Sequence, residues 1–223
     1  MDQPDEPGVD AGAAGQLAAS TGRPDGRLVR GARRREKILA TAVEVFGRQG
    51  FRGGSLREIA DQVGISEPGL LHHFGSKTAL LTATIAERDR LGAEQRERDE
   101  AAGRSAIDAL RALVQHNVET PGLVALHVVL SAEATEPAHP AHTAIRDRYR
   151  AVRHHDVPAL RDLQEQGRLH PDLDPEKIAP LITAVLDGLQ LQWLLDPDQV
   201  DVAALFEEFL LALGLPQERD RAD

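Results

Sequence analysis

Two adjacent histidines, His72 and His73, close a short segment that opens on Ser66-Glu67-Pro68-Gly69 and is followed, past Gly75, by Lys77. Serine in a capping position leaves the first-turn N–H groups pointing outward, and such a helix end takes a phosphate. Gly69 lets a sugar-phosphate wall approach the backbone closely, and Lys77 stands just beyond the end of the segment. The chemistry on offer is recognition. No Ser/His/Asp arrangement, glycine-rich phosphate loop or helix-borne carboxylate pair stands out as catalytic, so an enzyme is not expected, and a helical-bundle enzyme is kept as the rival class. With no cysteine there is neither a disulfide framework nor a thiolate metal site. His139 and His142, three apart, and the adjacent His154 and His155 lack a third ligand at useful spacing. They read as incidental surface histidines, and no metal or cofactor is expected.

A chain of 223 residues is long enough for a small domain attached to a larger one. Aromatic residues make up only 3%, so Leu, Ala, Val and Ile must build the core. No apolar run reaches the roughly 18 residues that span a bilayer, and no secretory peptide is visible. A cytoplasmic protein without a membrane partner is the expectation. The net charge of −10 taken alone disfavours nucleic acid, but its distribution reverses that reading. Arg27 to Lys77 holds ten basic and five acidic residues, net +5, which leaves −15 for the remainder. A basic patch acts within about one Debye length, ~8–10 Å, so the local sign decides.

The elements that must hold the short segment are legible around it. Residues 1–26, rich in Gly, Ala, Asp and Pro, read as a disordered tail. Ile38, Ala42, Val43, Val45 and Phe46 recur at helical spacing until Gly50. Ser55-Leu-Arg-Glu58 has capping-box spacing and opens a second helix with Leu56, Ile59, Ala60 and Val63 inside. Gly64 ends it, Ile65 fills the turn, and Ser66 caps a third helix that buries Leu70 and Phe74. Pro68 fits its first turn, where a missing N–H costs little. Ser76 caps a fourth helix, which continues through the charged "ERDRLGAEQRERDE" as a solvated connector. From 103 onward every segment is helical, including roughly 143–166, 174–194 and 202–213. The fold class is all-α.

Two short helices joined by a glycine-containing turn and flanked by supporting helices form a helix-turn-helix, whose second helix enters the major groove. The run Arg34 to Leu81, "RREKILATAVEVFGRQGFRGGSLREIADQVGISEPGLLHHFGSKTALL", resembles the DNA-binding domain of the TetR family of bacterial transcriptional regulators. Gly50-Phe51, "IADQVGIS" and "HHFGSKTALL" carry the likeness, and "DGLQLQWLLDP" at 187–197 resembles one branch of the family. The resemblance implies a helix-turn-helix domain at 27–77, an effector-binding and dimerisation domain at 78–215, and a flexible tail at 216–223. It implies a repressor on palindromic double-stranded operator DNA, released by a small molecule. A regulator without small-molecule sensing is the alternative. Ser55 would contact phosphate; Glu67, Gly69 and His72 would read bases; His73 and Lys77 would grip phosphates, with Ser66 at the helix start. Arg33 or Arg34 would extend along the backbone or into the minor groove. Most members carry a tyrosine where Leu71 stands; leucine offers no hydroxyl to a phosphate, but can meet a thymine methyl.

In the second part, the apolar faces of 178–194 and 202–213 are broader than one neighbouring helix requires. Pairing two such hairpins gives a four-helix homodimer interface, with Leu181, Val185, Leu189, Leu205 and Phe209 on it. Candidate effector contacts are His116, His127, Glu133, Tyr149, Gln190 and Trp193.

Overall fold

The computed structural model describes residues 26–215; the expected tails at 1–26 and 216–223 lie outside that range apart from Gly26. Nine helices and no strand occur among the described residues, as the all-α expectation requires. The first four are α1 (Gly26–Gly53), α2 (Leu56–Val63), α3 (Glu67–Phe74) and α4 (Lys77–Ala101). They are followed by α5 (Ala106–Glu119), α6 (Pro121–Glu133), α7 (His142–Glu165), α8 (Pro175–Leu195) and α9 (Val202–Ala212).

Caps set most of the boundaries. Ser55, Ser66, Ser105 and Asp201 each accept a backbone N–H from three residues on, and Asp174 caps α8 by accepting from the Glu176 N–H. The capping box at Ser55 is only half made. The Glu58 carboxylate takes Arg48, Gln49 and Gln62 instead, tying α2 to the end of α1. Gly64 ends α2 in the left-handed region at φ 82°, where a side chain would be strained. Gly50 bends α1 at φ 69°, ψ −178°, so the helix leaves its path there and Phe51 turns back towards the core.

Buried side chains form two clusters. The first joins Ile38, Phe46, Ile59, Leu70, Leu80 and Leu81 to Leu126 and Leu130 of α6 and to Ile145 of α7. It therefore crosses the expected division at 77/78. The second is built from α5, α7, α8 and α9 around Val114, Leu160, Ile182, Phe206 and Leu210. Helix α6 lies directly on α1: a Cβ at Gly47 would sit 3.0 Å from the Leu126 backbone nitrogen and 3.2 Å from the Gly122 carbonyl oxygen. Glycine makes that approach without displacing the facing backbone.

Three expectations need correction. The charged half of α4 is not solvated throughout: Arg88 and Asp99 are buried, the first against His127 of α6 and the second against Arg104 and Gln95. His139 and His142 are not incidental surface groups. His139 is buried with Nδ1 accepting from the Ala141 N–H, and His142 Nδ1 lies 2.8 Å from the Ala134 carbonyl, so both brace the α6–α7 connection. Finally, α8 is long and apolar enough, by length and composition, to cross a membrane, with a mean hydropathy of 1.4. The reason is visible in its packing. Ile178, Ala179, Ile182 and Leu186 face the second cluster, while Leu181, Leu191 and Leu195 form a separate outward stripe, making two sides apolar at once.

Candidate DNA-reading surface and effector pocket

Helix α3 shows one face to the core and one to solvent. Leu70 is fully buried and Phe74 half-buried, whereas Glu67, His72 and His73 are exposed and Leu71 is half-buried. The rings of His72 and His73 lie with centroids 6.1 Å apart and point outward from the last turn. Each capping serine remains useful to a phosphate. Ser55 accepts from the Glu58 N–H and Ser66 from the Gly69 N–H, and a hydroxyl accepting one bond still has its own proton to donate. Lys77 is held: its Nζ donates to the Arg52 carbonyl at 3.1 Å and lies 5.0 Å from the Phe51 ring centre. Two of its three N–H donors are left for an incoming anion.

The basic arm divides by role. Arg35 stacks on Phe74 at 4.8 Å, and Lys37 caps the end of α2 by donating to the Val63 carbonyl at 3.0 Å. Arg33 and Arg34 are exposed on the same helix and form no ion pair among the described residues. The bent end of α1, both capping serines, the α3 first turn and Lys77 are thus connected through short contacts into one rigid unit.

The second constellation lies inside the body. Asp187 of α8 accepts from Tyr149 Oη of α7 at 2.6 Å through one oxygen, and His127 Nε2 of α6 lies 3.1 Å from the other. Arg88 NH1 of α4 lies 3.1 Å from His127 Nδ1, so that nitrogen must be the acceptor and Nε2 carries the proton towards Asp187. Arg88 and Arg148 both donate to Asp89. Four helices meet in this relay.

Its electrostatics follow from burial and pairing. Burial pushes the His127 imidazole below its ordinary range, and the Arg88 charge adds to the effect against the opposing Asp187. Burial alone would raise the Asp187 carboxyl, but hydrogen bonds from His127 and Tyr149 and the charge of Arg148 hold it below the usual carboxylate range. Tyr149 is pushed up to about 12 by burial and by its bond to that carboxylate. Arg148 is lowered to about 10, by burial first and then by Arg88. At neutral pH the cluster holds a neutral imidazole between an arginine and an aspartate.

A cavity of about 260 Å³ opens beside it, lined by Tyr149, Arg153, Pro180, Thr183, Ala184 and Asp187. Of the candidate effector contacts, His127 and Tyr149 come together, with ring centroids 6.0 Å apart. Gln190 is buried on α8, Trp193 packs against the second cluster, and His116 lies half-buried near the end of α5. None of these three lines the cavity. Glu133 is elsewhere, at the seam with α1, accepting from the Phe51 N–H at 2.7 Å. Sequence reasoning missed Asp187, Arg88 and Arg148. An aspartate inside the apolar run of α8 was the available signal.

Outside the second cluster, α8 shows Leu181, Leu191 and Leu195 at 54%, 46% and 77% exposure, with Ala184 exposed and Gly188 half-buried on the same side. Leu205 and Leu211 of α9 are also exposed. Of the residues expected on an interface, Leu181 and Leu205 are exposed, whereas Val185, Leu189 and Phe209 are half-buried against their own chain.

Comparison with known proteins agrees with this architecture. Residues 38–84 match the family described as bacterial regulatory proteins, tetR family, and residues 106–213 match that of the BetI-type transcriptional repressor, C-terminal. The HTH-type transcriptional regulator UidR of Escherichia coli K12 is 29% identical over 182 residues, spanning 80% of this chain and 90% of that protein. The transcriptional repressor AcnR of Corynebacterium jeikeium is 27% identical over 163 residues, spanning 71% of this chain and 80% of its own. Among solved structures, a transcriptional regulator from Saccharomonospora viridis in complex with choline superposes with a TM-score of 0.70. It is 22% identical, and the match covers 81% of this chain and 96% of that one. Fold and surface define a DNA-binding transcriptional regulator. The chain belongs to the TetR family of bacterial regulators.

Proposed function

We propose that the protein is a homodimeric repressor that holds a palindromic operator through paired α3 helices and is released by a small amphipathic effector. The observation that carries the DNA half is the rigid unit around α3. It offers Glu67, Gly69, Leu71 and His72 towards base edges, and it offers Ser55, Ser66, His73 and Lys77 towards the phosphates on either side. Arg33 and Arg34 extend the charge along the backbone. Selecting duplex fragments with the purified protein, then footprinting the selected sites, tests this half. Two half-sites of inverted sequence are expected; a single unrepeated site overturns the paired reading.

The effector half rests on the cavity beside Tyr149 and Asp187. It is lined by the hydrogen-bonding groups of Tyr149, Arg153, Thr183 and Asp187 and by the apolar Pro180 and Ala184. The superposing regulator that holds choline makes small polar-headed amphiphiles the first panel to screen. Linkage requires that an inducing compound bind free dimer more tightly than operator-bound dimer, by the same factor by which the compound weakens operator binding. Calorimetry on both forms measures that factor, and equal affinities would sink the induction reading.

A further inference from the structure

We infer that Glu133 is a positioning residue for DNA binding: from the end of α6, its carboxylate fixes the Gly50–Phe51 bend and, through the Phe51 ring, the place of Lys77. The non-helical backbone at Gly50 turns the Phe51 N–H out of the helical path. A backbone donor in a half-buried position needs a partner, and Glu133 Oε2 supplies it at 2.7 Å across 82 positions of sequence. The bond is charge-assisted and therefore short and directional. A Cβ at Gly50 would collide with the same carboxylate, so bend and acid fit one another.

His139 packs beside this pair. Its Nδ1 accepts from the Ala141 N–H, and its buried Nε2 lies 3.5 Å from Glu133 Oε2 without forming a hydrogen bond. The ring stands edge-on to Phe51, centroids 5.4 Å apart at 89°. The Lys77 ammonium lies 5.0 Å from the Phe51 ring centre and is bonded to the Arg52 carbonyl. Glu133 thus reaches Lys77 through a single intervening residue without touching it. Helix α6 also carries His127 of the Asp187 relay, so a shift of α6 at the relay reaches the bend.

The inference rests on the proposed contact of Lys77 with phosphate, and a double-mutant cycle separates the two. Full-length parent, Lys77→Ala, Glu133→Gln, Glu133→Ala and both double variants are titrated with a selected operator duplex and a scrambled duplex of equal length. Melting temperature and oligomeric state are recorded for each. Glu133→Ala is expected to weaken binding to both duplexes by about fivefold or more, with Glu133→Gln recovering part of the loss because its amide oxygen still accepts. In the Lys77→Ala background the same substitutions should cost much less. Equal cost in both backgrounds overturns the inference, as does a lowered melting temperature with unchanged DNA affinity. A Lys77→Ala protein that binds DNA like its parent removes the phosphate contact itself, and the route through it.

Discussion

At the scale of single residues, proton positions decide most of what the body can do. Arg88 can only donate, so His127 must accept at Nδ1 and donate at Nε2. Protonating the ring would set two donors against one another. Because burial holds the folded imidazole below its ordinary value of 6.5, the unfolded chain binds the proton first as pH falls. The stabilising contribution is therefore complete above that value and is lost through the window beneath it. The melting temperature should fall between pH 7.5 and 5.5, and it should fall less in His127→Gln, which has no ring to protonate. Identical pH slopes for the two proteins would refute the buried neutral imidazole. On the DNA side, Lys77→Ala should weaken selected and scrambled duplexes alike and reduce the salt slope by about one unit. His72→Ala should instead relax preference at one base position in each half-site. Loss of equal size on selected and scrambled DNA would remove His72 from the base-reading set. The two kinds of site were unequally legible. Recognition residues come from one continuous stretch, whereas the His127–Asp187 relay joins four helices that no local pattern relates.

Among elements, α6 ties α1 to the body, through Leu126 and Leu130 in the first cluster and His127 in the relay. Its first turns lie so close to α1 that a methyl group at Gly47 would need the facing backbone to give by a few tenths of an ångström, while a Cβ at Gly122 would meet Val43 Cγ1 at an ordinary 3.8 Å. Gly47→Ala should therefore push α6 from α1 and cost about 1–3 kcal/mol, as overpacking does. Gly122→Ala should be neutral or stabilising, since alanine gains up to ~1 kcal/mol over glycine within a helix. Chemical denaturation of both variants measures the contrast, and equal destabilisation would show that the close approach is not decisive. Helix α1 through α4 could be read from caps and spacing because serine, glycine and period 3.6 act locally. The α1–α6 contact could not: Gly47 lies within a good helical pattern, and its reason for being glycine is 75–79 positions away. The same holds for Arg88 and Asp99, which a run of charges disguises as solvated.

At the scale of the whole molecule, the proposed dimer rests on the face that α8 and α9 leave uncovered. Leu181, Leu191 and Leu195 of α8 and Leu205 and Leu211 of α9 are exposed, apolar surface of the kind that marks an interface. Charge at Val185, Leu189 or Phe209 would confuse dissociation with unfolding, because those side chains pack on their own core. Leu191→Glu and Leu205→Glu avoid that confusion: both positions are nearly half exposed, so the protomer should keep its helical content. Two copies joined through this face hold their α3 helices at a fixed separation, which must be about one duplex turn, 34–36 Å, to meet successive major grooves on one side. Joining two half-site readers makes the second contact intramolecular and raises affinity by about 10²–10⁴ without any new contact. Dissociating them should forfeit that factor, leaving each protomer with half-site affinity. Light scattering should then report half the parental mass, and operator affinity should fall about a hundredfold or more while affinity for an isolated half-site is unchanged. A double variant that remains dimeric would place the interface elsewhere, and a monomer with parental operator affinity would show that the two half-sites were never read together.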